Sequence, residues 1–528
     1  MKYASAIRVF LFSFVNYLHA AKRWRRAGLA FAFGAALTLA MPPFDFFPLM
    51  WVCFPALIFL LQGTKKKRQA FLTGWWFAFG FLTCSLYWIA DSMFVDLAHF
   101  WWAIPLAVAG LPALFAIYYG LAAAIARAIG LRGTAGAITF GLMWFVADYA
   151  RGHLFTGFPW NLTGYAWSGI LPVLQFASLA GIYGLSLVTS VTSTLPAALA
   201  DGSKTGRRAF AASLVFLIAL AGWGETRLLT THVGTVPGVR LRIVQPDTAQ
   251  KYKWSANDRE ADFDERLAMT SAPSKKSVTA VIWPEAAAVY FLYENPERRA
   301  EIAAHLPPNG ILITGVIRRT LDENGNIRFY NSLTSVNDKG QLTAGYDKAH
   351  LVPFGEYMPF RKFLPPSVKA LAASDEDFSP GPGPRTLRVP GLPSFSPLIC
   401  YEAIFPGAVV DSHDRPDLMI NVTNDAWYGD TIGPYQHFDI ARVRAIEEGL
   451  PMIRDANTGI SGVIGPLGRI DKRLGLEKKG FIDSDLPTPL FLTFYAKMGD
   501  TPVLVVFLLV AGLAFVCKRY EKAESRSK

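Results

Sequence analysis

Cysteine is scarce in this sequence, with four in 528 residues. Cys53, Cys84 and Cys517 lie in long apolar stretches. Cys400 is therefore alone in the polar half of the chain, which excludes a disulfide inside that half. Charge is also thin: 18% of residues are Asp, Glu, Lys or Arg, against 52% hydrophobic. With a mean hydropathy of +0.26, this excludes an ordinary soluble protein. No internal repeat is present. "NTGISGVIGPLG" (457–468) lacks the Gly-Lys-Ser/Thr ending of a phosphate loop and reads as turns. His350, His413 and His437 lack the i, i+4 spacing that pairs metal ligands, so no metal and no other cofactor is expected. A pI near 9.3 could suggest nucleic acid, but no basic stripe marks the polar half.

What is abundant is apolar sequence, and it is unevenly placed. Eight runs approach the ~20 residues that cross a bilayer: 28–42, 47–62, 70–90, 101–126, 134–150, 168–199, 209–225 and 499–517. The run over 168–199 is long enough to be tilted or broken. The positive charge lies between alternate runs. Twenty Lys and Arg, at the two ends and in the connections near 65–68, 127–132 and 204–208, face only Asp201, Glu521 and Glu524. These segments net +17 where the whole chain nets +11, which leaves −6 for the rest. The other connections carry Asp45, Asp91, Asp96 and Asp148, with Arg151 the one guanidinium. Basic connections stay cytoplasmic, so both ends are expected inside and the long segment before the last span outside. The expected division is a seven-helix membrane domain over 1–225, an extracytoplasmic catalytic domain over 226–498, and a closing helix with a cytoplasmic tail over 499–528. Residues 1–20 show no small-residue cleavage site before the basic cluster and read as an interfacial lead-in.

The polar segment alternates strands with helices. "GVRLRIVQPD" (238–247), "SVTAVIWPE" (277–285), "GILITGVIRR" (310–319), "NSLTSVND" (331–338), "SFSPLICYE" (394–402), "DLMINVTND" (417–425) and "SGVIGPLGRI" (461–470) read as strands. Residues 257–270, 294–305 and 435–449 have helical spacing, and Gly449 is a plausible stop. The pattern is that of an α/β domain. Three apolar strands stop at reactive residues: Glu285, Lys348 with Glu356 beyond it, and Cys400 with Glu402 beyond it. Strand ends are where α/β folds build sites.

A thiol is mostly protonated at neutral pH and needs activation. A carboxylate can take its proton, and an ammonium can favour the thiolate and hold a developing oxyanion. Together these make a kit for acyl transfer through a thioester. Taken singly, Glu285 could cap a helix, Lys348 could be a solvated charge and Cys400 could be core packing. Their joint placement at strand ends favours chemistry.

"WPE", "YDKAHLVPFGEY" and "ICYEAIFP", followed by "NVTNDAWYG" and "ARVRAIEEG", resemble the nitrilase superfamily over about 238–485. The resemblance implies an αββα sandwich with Glu285 as general base, Lys348 as transition-state stabiliser and Cys400 as nucleophile. With the spans included, the chain resembles the apolipoprotein N-acyltransferase family of bacterial inner membranes. That likeness implies a catalytic domain in the periplasm and a phospholipid donor, usually phosphatidylethanolamine. It implies a cysteine thioester intermediate and diacylglyceryl-apolipoprotein acceptors acylated at the N-terminal amine. It adds Trp254, Glu356, Tyr401 and Glu402 as supporting active-site residues, and "FTGFPWNLTGYAW" (155–167) as a family-like outer loop.

Both substrates would then be lipids, which suits a lipid bilayer as the third partner. Trp101, Trp102, Phe158, Trp160, Tyr165 and Trp167 are expected at headgroup level. The apolar loop over 352–366, with Phe360 and Phe363, is expected to dip toward the membrane. Two other readings remain. A membrane-tethered amidase would release free acid to water, and a transporter would need charges along a path, where the mid-span regions show almost none.

Overall fold

The computed structural model describes residues 13–250, 258–359, 361 and 377–526. Trp254, Phe360 and Phe363 lie outside the described residues. The chain divides into two compact units. One holds the described residues through Ala90, Trp102–Thr231 and the segment from Lys497 onward; the other holds Asp91–Trp101 and His232–Ala496.

The first unit is helical. All eight apolar runs contain helix, but among the described residues five helices are long and apolar enough to cross a membrane: Lys67–Phe94, Leu97–Ile129, Ala177–Asp201, Lys204–Thr230 and Thr501–Lys522. Phe47–Gln62 is shorter. Arg23–Leu37 and Gly133–His153 occupy the remaining two runs. The run over 168–199 is broken: a short helix, Leu171–Leu174, precedes Ala177–Thr194, and Gly181 leaves helical geometry at φ 65°. Ala177–Thr194 is almost wholly buried, whereas Thr501–Arg526 exposes Leu504, Leu508 and Leu509, as a lipid-facing helix does. Helices approach through small residues, because apolar tails outside give no hydrophobic drive to pack. A Cβ at Gly80 would collide with the Phe31 carbonyl of the neighbouring helix.

Two expectations are corrected here. Asp148 and Arg151 are not in a connection but in the last turns of Gly133–His153, both buried. Their charges are paired at 3.7 Å and satisfied by Tyr119, whose hydroxyl donates to Asp148 and accepts from Arg151 Nε. Arg151 Nη1 also donates to the Phe158 carbonyl, and Thr163 donates to Asp148 from its backbone. This network holds the 155–167 loop inward. Trp160, Tyr165 and Trp167 are consequently core residues rather than headgroup anchors, and Phe158 is half-buried. Trp101, Trp102 and Phe155 are the exposed aromatics of this region.

The second unit contains β1 (Thr235–Gln245), β2 (Ala280–Ile282), β3 (Ile311–Leu321), β4 (Ile327–Asn337), β5 (Leu342–Asp347), β6 (Leu387–Val389), β7 (Leu392–Ile399), β8 (Leu418–Val422), β9 (Met452–Asp455), β10 (Ser461–Ile464), β11 (Ile470–Leu474) and β12 (Gly480–Pro487). Among the described residues they form two six-stranded sheets, ordered β12-β1-β2-β3-β4-β5 and β11-β10-β9-β8-β7-β6. Each sheet has a parallel centre, β1-β2-β3 and β7-β8-β9, flanked by antiparallel pairs.

Period-two alternation explains the layering. Val244, Val281, Leu312 and Val316 face Phe263, Leu267 and Ile302 of the helices Arg259–Ser271 and Pro296–His305. Their neighbours Ile243, Ile282 and Ile313 are equally buried on the opposite face, toward the second sheet. Leu398, Met419 and Met452 pack on Phe438, Ala441 and Ala445 of the helix Gly433–Glu448. The order is helix, sheet, sheet, helix. The Pro296–His305 helix starts on Asn295, whose side chain accepts from Arg298 N, with Pro296 in the first turn. Gly433–Glu448 stops at Gly449, whose φ of 65° suits glycine at that position.

Candidate active site

The carboxyl ends of β2, β5 and β7 bring the candidate residues together. Glu285 lies three residues past β2, and its N–H donates across to the Thr423 carbonyl beyond β8. Lys348 immediately follows β5, and its N–H donates to the Asn331 carbonyl of β4. Cys400 immediately follows β7 and opens a tight turn with φ 49°. A left-handed backbone at a residue with a side chain is strained and persists only where the surroundings hold it. Ala286, next to Glu285, has φ 46° as well. Gly315 of β3 makes room there, since a Cβ would fall 2.6 Å from Glu285 Cα.

Lys348, 1% exposed, anchors the cluster. Its Nζ donates to Glu356 Oε1 at 2.9 Å and lies 3.6 Å from Glu285 Oε1. Glu356 Oε2 accepts from Val352 N at 2.7 Å, which fixes the carboxylate that holds the lysine. Asn331, to which the sequence reading gave no role, joins the two acids. Its Nδ2 donates to Glu285 Oε1 and to Glu356 Oε1, both at 2.7 Å. The assignment of this amide follows from its partners, because two carboxylates need a donor and not a carbonyl.

Glu402 stands apart from this cluster. Its Oε1 accepts from the Tyr346 hydroxyl at 2.6 Å, Ala349 N at 2.8 Å and His350 N at 3.2 Å; its Oε2 accepts from Ile399 N at 2.8 Å. It ties the residue before Cys400 to the residues after Lys348, and so locks the two sheets together at the site. Tyr401 is buried with its ring edge-on to Phe405. Behind Cys400 sits a second buried network: Asp425 binds His437 Nδ1 at 2.9 Å and Arg454 Nη2 at 2.7 Å, and Thr423 donates to Asp425. The Tyr428 hydroxyl lies 3.9 Å from Cys400 Sγ.

Burial pushes the Cys400 thiol up to about 12, with Glu285 and Asp425 adding to the rise and Lys348 and Thr423 opposing it. The resting nucleophile candidate is thus a neutral thiol, and its proton must leave as it reacts. Burial would lower Lys348, but Glu356, Glu285 and Cys400 outweigh it and raise it above its ordinary value, so the ammonium persists. Burial likewise raises Glu402 despite the donors around it. A fixed ammonium, two acids and a buried thiol on a strained turn form an arrangement suited to nucleophilic acyl chemistry.

Fold and site together define a carbon–nitrogen hydrolase-type domain carried by a membrane protein. Residues 33–195 match the Apolipoprotein N-acyltransferase N-terminal domain, and residues 240–490 match Carbon-nitrogen hydrolase. A protein named Apolipoprotein N-acyltransferase from Rhodopseudomonas palustris is 38% identical over 513 residues, covering 94% of this chain and 96% of that protein. One of the same name from Bradyrhizobium diazoefficiens is 40% identical over 517 residues, again 94% and 96%. One from Brucella melitensis is 39% identical over 511 residues, 93% and 96%. The chain belongs to the apolipoprotein N-acyltransferase family.

Proposed function

We propose that the chain moves an acyl group from a phospholipid to the N-terminal amine of a diacylglyceryl-cysteine on apolipoproteins, through a thioester on Cys400. The observation that carries the reading is the buried Lys348 ammonium, held by Glu285 and Glu356 at strand ends shared with the strained Cys400. Glu285 takes the thiol proton as the sulfur attacks the donor's ester carbonyl. Lys348 stabilises the oxyanion of the tetrahedral intermediate. Glu285 then returns its proton to the departing lysophospholipid alkoxide, leaving the thioester. In the second half, the acceptor amine attacks the thioester, Glu285 accepts its proton, and the thiolate leaves and is reprotonated. Glu356 and Asn331 hold the ammonium and the base in register, and Glu402 and Tyr401 shape the turn that carries the thiol. Trp254 is proposed as a further supporting active-site residue.

Phosphatidylethanolamine is the expected donor. The basic connections support an inner-membrane topology with residues 226–498 in the periplasm as the catalytic domain, between the membrane helices of 1–225 and the last span with its tail, 499–528. A phospholipid-only incubation tests transfer against hydrolysis. The thioester should persist until a diacylglyceryl peptide is added, and then be consumed as N-acylated peptide appears. Steady release of free fatty acid without acceptor would overturn the proposal.

A further inference from the structure

The sulfur at the centre of this reading has a neighbour to which the mechanism so far assigns nothing. Tyr428 Oη is 3.9 Å from Cys400 Sγ, inside the range of a sulfur hydrogen bond. The ring is held from several sides. Tyr428 N donates to the Asp425 carbonyl at 2.9 Å, and its own carbonyl accepts from the Thr431 hydroxyl at 2.7 Å. The ring meets His437 edge-on at 5.7 Å, and His437 is itself clamped by Asp425, which pairs with Arg454. The hydroxyl is thus carried on a rigid buried frame.

The charges around the sulfur explain why a donor is needed there. A thiolate formed at Cys400 sits in a field to which Asp425 contributes negative charge, as Glu285 does until it takes the thiol proton. The one ammonium of the cluster, on Lys348, is already committed to Glu356 and Glu285. Burial, Cys400 and Asp425 hold the Tyr428 phenol well above its ordinary range, so it keeps its proton. Once the thiol has given up its own proton, only the phenol can donate between these two groups.

We infer that Tyr428 is a further catalytic residue, donating a hydrogen bond from its hydroxyl to the Cys400 sulfur whenever that sulfur carries negative charge. The inference rests on the reading of Cys400 as nucleophile. The proton balance is simple. The thiol proton goes to Glu285, and the phenol keeps its own. When the sulfur bonds the acyl carbon its charge is spent and the hydrogen bond loosens. It re-forms when the acceptor amine expels the thiolate, so both half-reactions gain.

The test uses the full-length enzyme and follows alkylation of Cys400 by iodoacetamide, read on the Cys400 peptide between about pH 6 and 9. Far below the thiol's ionisation the rate tracks the thiolate fraction. A hydrogen bond to a charged group corresponds to roughly a ten- to hundredfold change in that fraction. Tyr428→Phe keeps the ring against His437 and should slow both alkylation and phospholipid-dependent acyl loading by about that factor at every pH. Replacement of Tyr428 by 3-fluorotyrosine, a stronger donor of nearly the same size, should speed both, and it decides the matter if the phenylalanine variant does not fold. Parental alkylation and loading rates in Tyr428→Phe, or slower rates with fluorotyrosine, overturn the inference while leaving Cys400-dependent loading intact. Loading that survives in Cys400→Ala would instead remove the nucleophile reading, and this inference with it.

Discussion

Asn331 offers a sharp quantitative test, because one amide nitrogen serves both acids. It is 6% exposed, and its Nδ2 donates at 2.7 Å to Glu285 and to Glu356. Its Oδ1 has no partner among the described residues, so the side chain is present for its NH2. A hydrogen bond to a charged acceptor contributes about 1.5–3 kcal/mol, and two set an upper bound near 6 kcal/mol. Lys348 still holds Glu356 when the amide is removed, so about 3 kcal/mol is the expected loss in Asn331→Ala, or roughly two orders of magnitude if it falls on the loading step. Asn331→Asp is the discriminating variant. It keeps the shape but sets a third carboxylate against two others, and it can donate only when protonated. Thioester formation, timed by intact mass after mixing with phospholipid, should fall at least as far in Asn331→Asp at neutral pH and recover in part toward about pH 5. A merely structural role would lower thermal stability without that recovery. Parental loading by Asn331→Asp at neutral pH would refute the reasoning.

Other predictions follow from the same geometry. Glu285→Gln keeps the hydrogen bond from Asn331 but has no basic oxygen, so thioester formation should be blocked; normal accumulation of acyl-enzyme would show that the base lies elsewhere. Glu448, 2% exposed near the end of Gly433–Glu448, is raised by burial to about 7, with Arg415 at 3.8 Å offsetting only part. A carboxyl raised on folding contributes stability that is complete below about pH 4.5 and is lost as the pH rises through about 7. Glu448→Gln should therefore melt with the parent near pH 4.5 but higher at pH 8.5, by about 3 kcal/mol in stability. A difference that does not change with pH would contradict the assignment.

What the sequence discloses depends on how locally each feature is encoded. The apolar runs ending at Glu285, Lys348 and Cys400 mark strand ends because a strand that enters a core must stop where polarity resumes. Alternation and helical spacing likewise suffice for the α/β pattern, and hydropathy for the helical half. Asn331 is different: it lies inside β4, and nothing local shows that its amide meets carboxylates 46 and 25 residues away in the chain. Tyr428 lies in a quoted motif, yet no spacing rule links it to a sulfur 28 residues earlier. Trp160, Tyr165 and Trp167 look like interfacial aromatics because nothing local shows that Asp148 and Arg151 draw their loop inward. The state of the thiol is also hidden. The neighbouring charges can be named from sequence, but the burial that outweighs Lys348 cannot.

The most direct test of the central claim is the intact mass of the full-length enzyme after exposure to phospholipid, measured for the parent and for Cys400→Ala side by side. The account predicts one hydroxylamine-labile acyl adduct on the parent and none on the variant. An adduct that survives in Cys400→Ala, or a parent that turns over donor without ever carrying one, would contradict it.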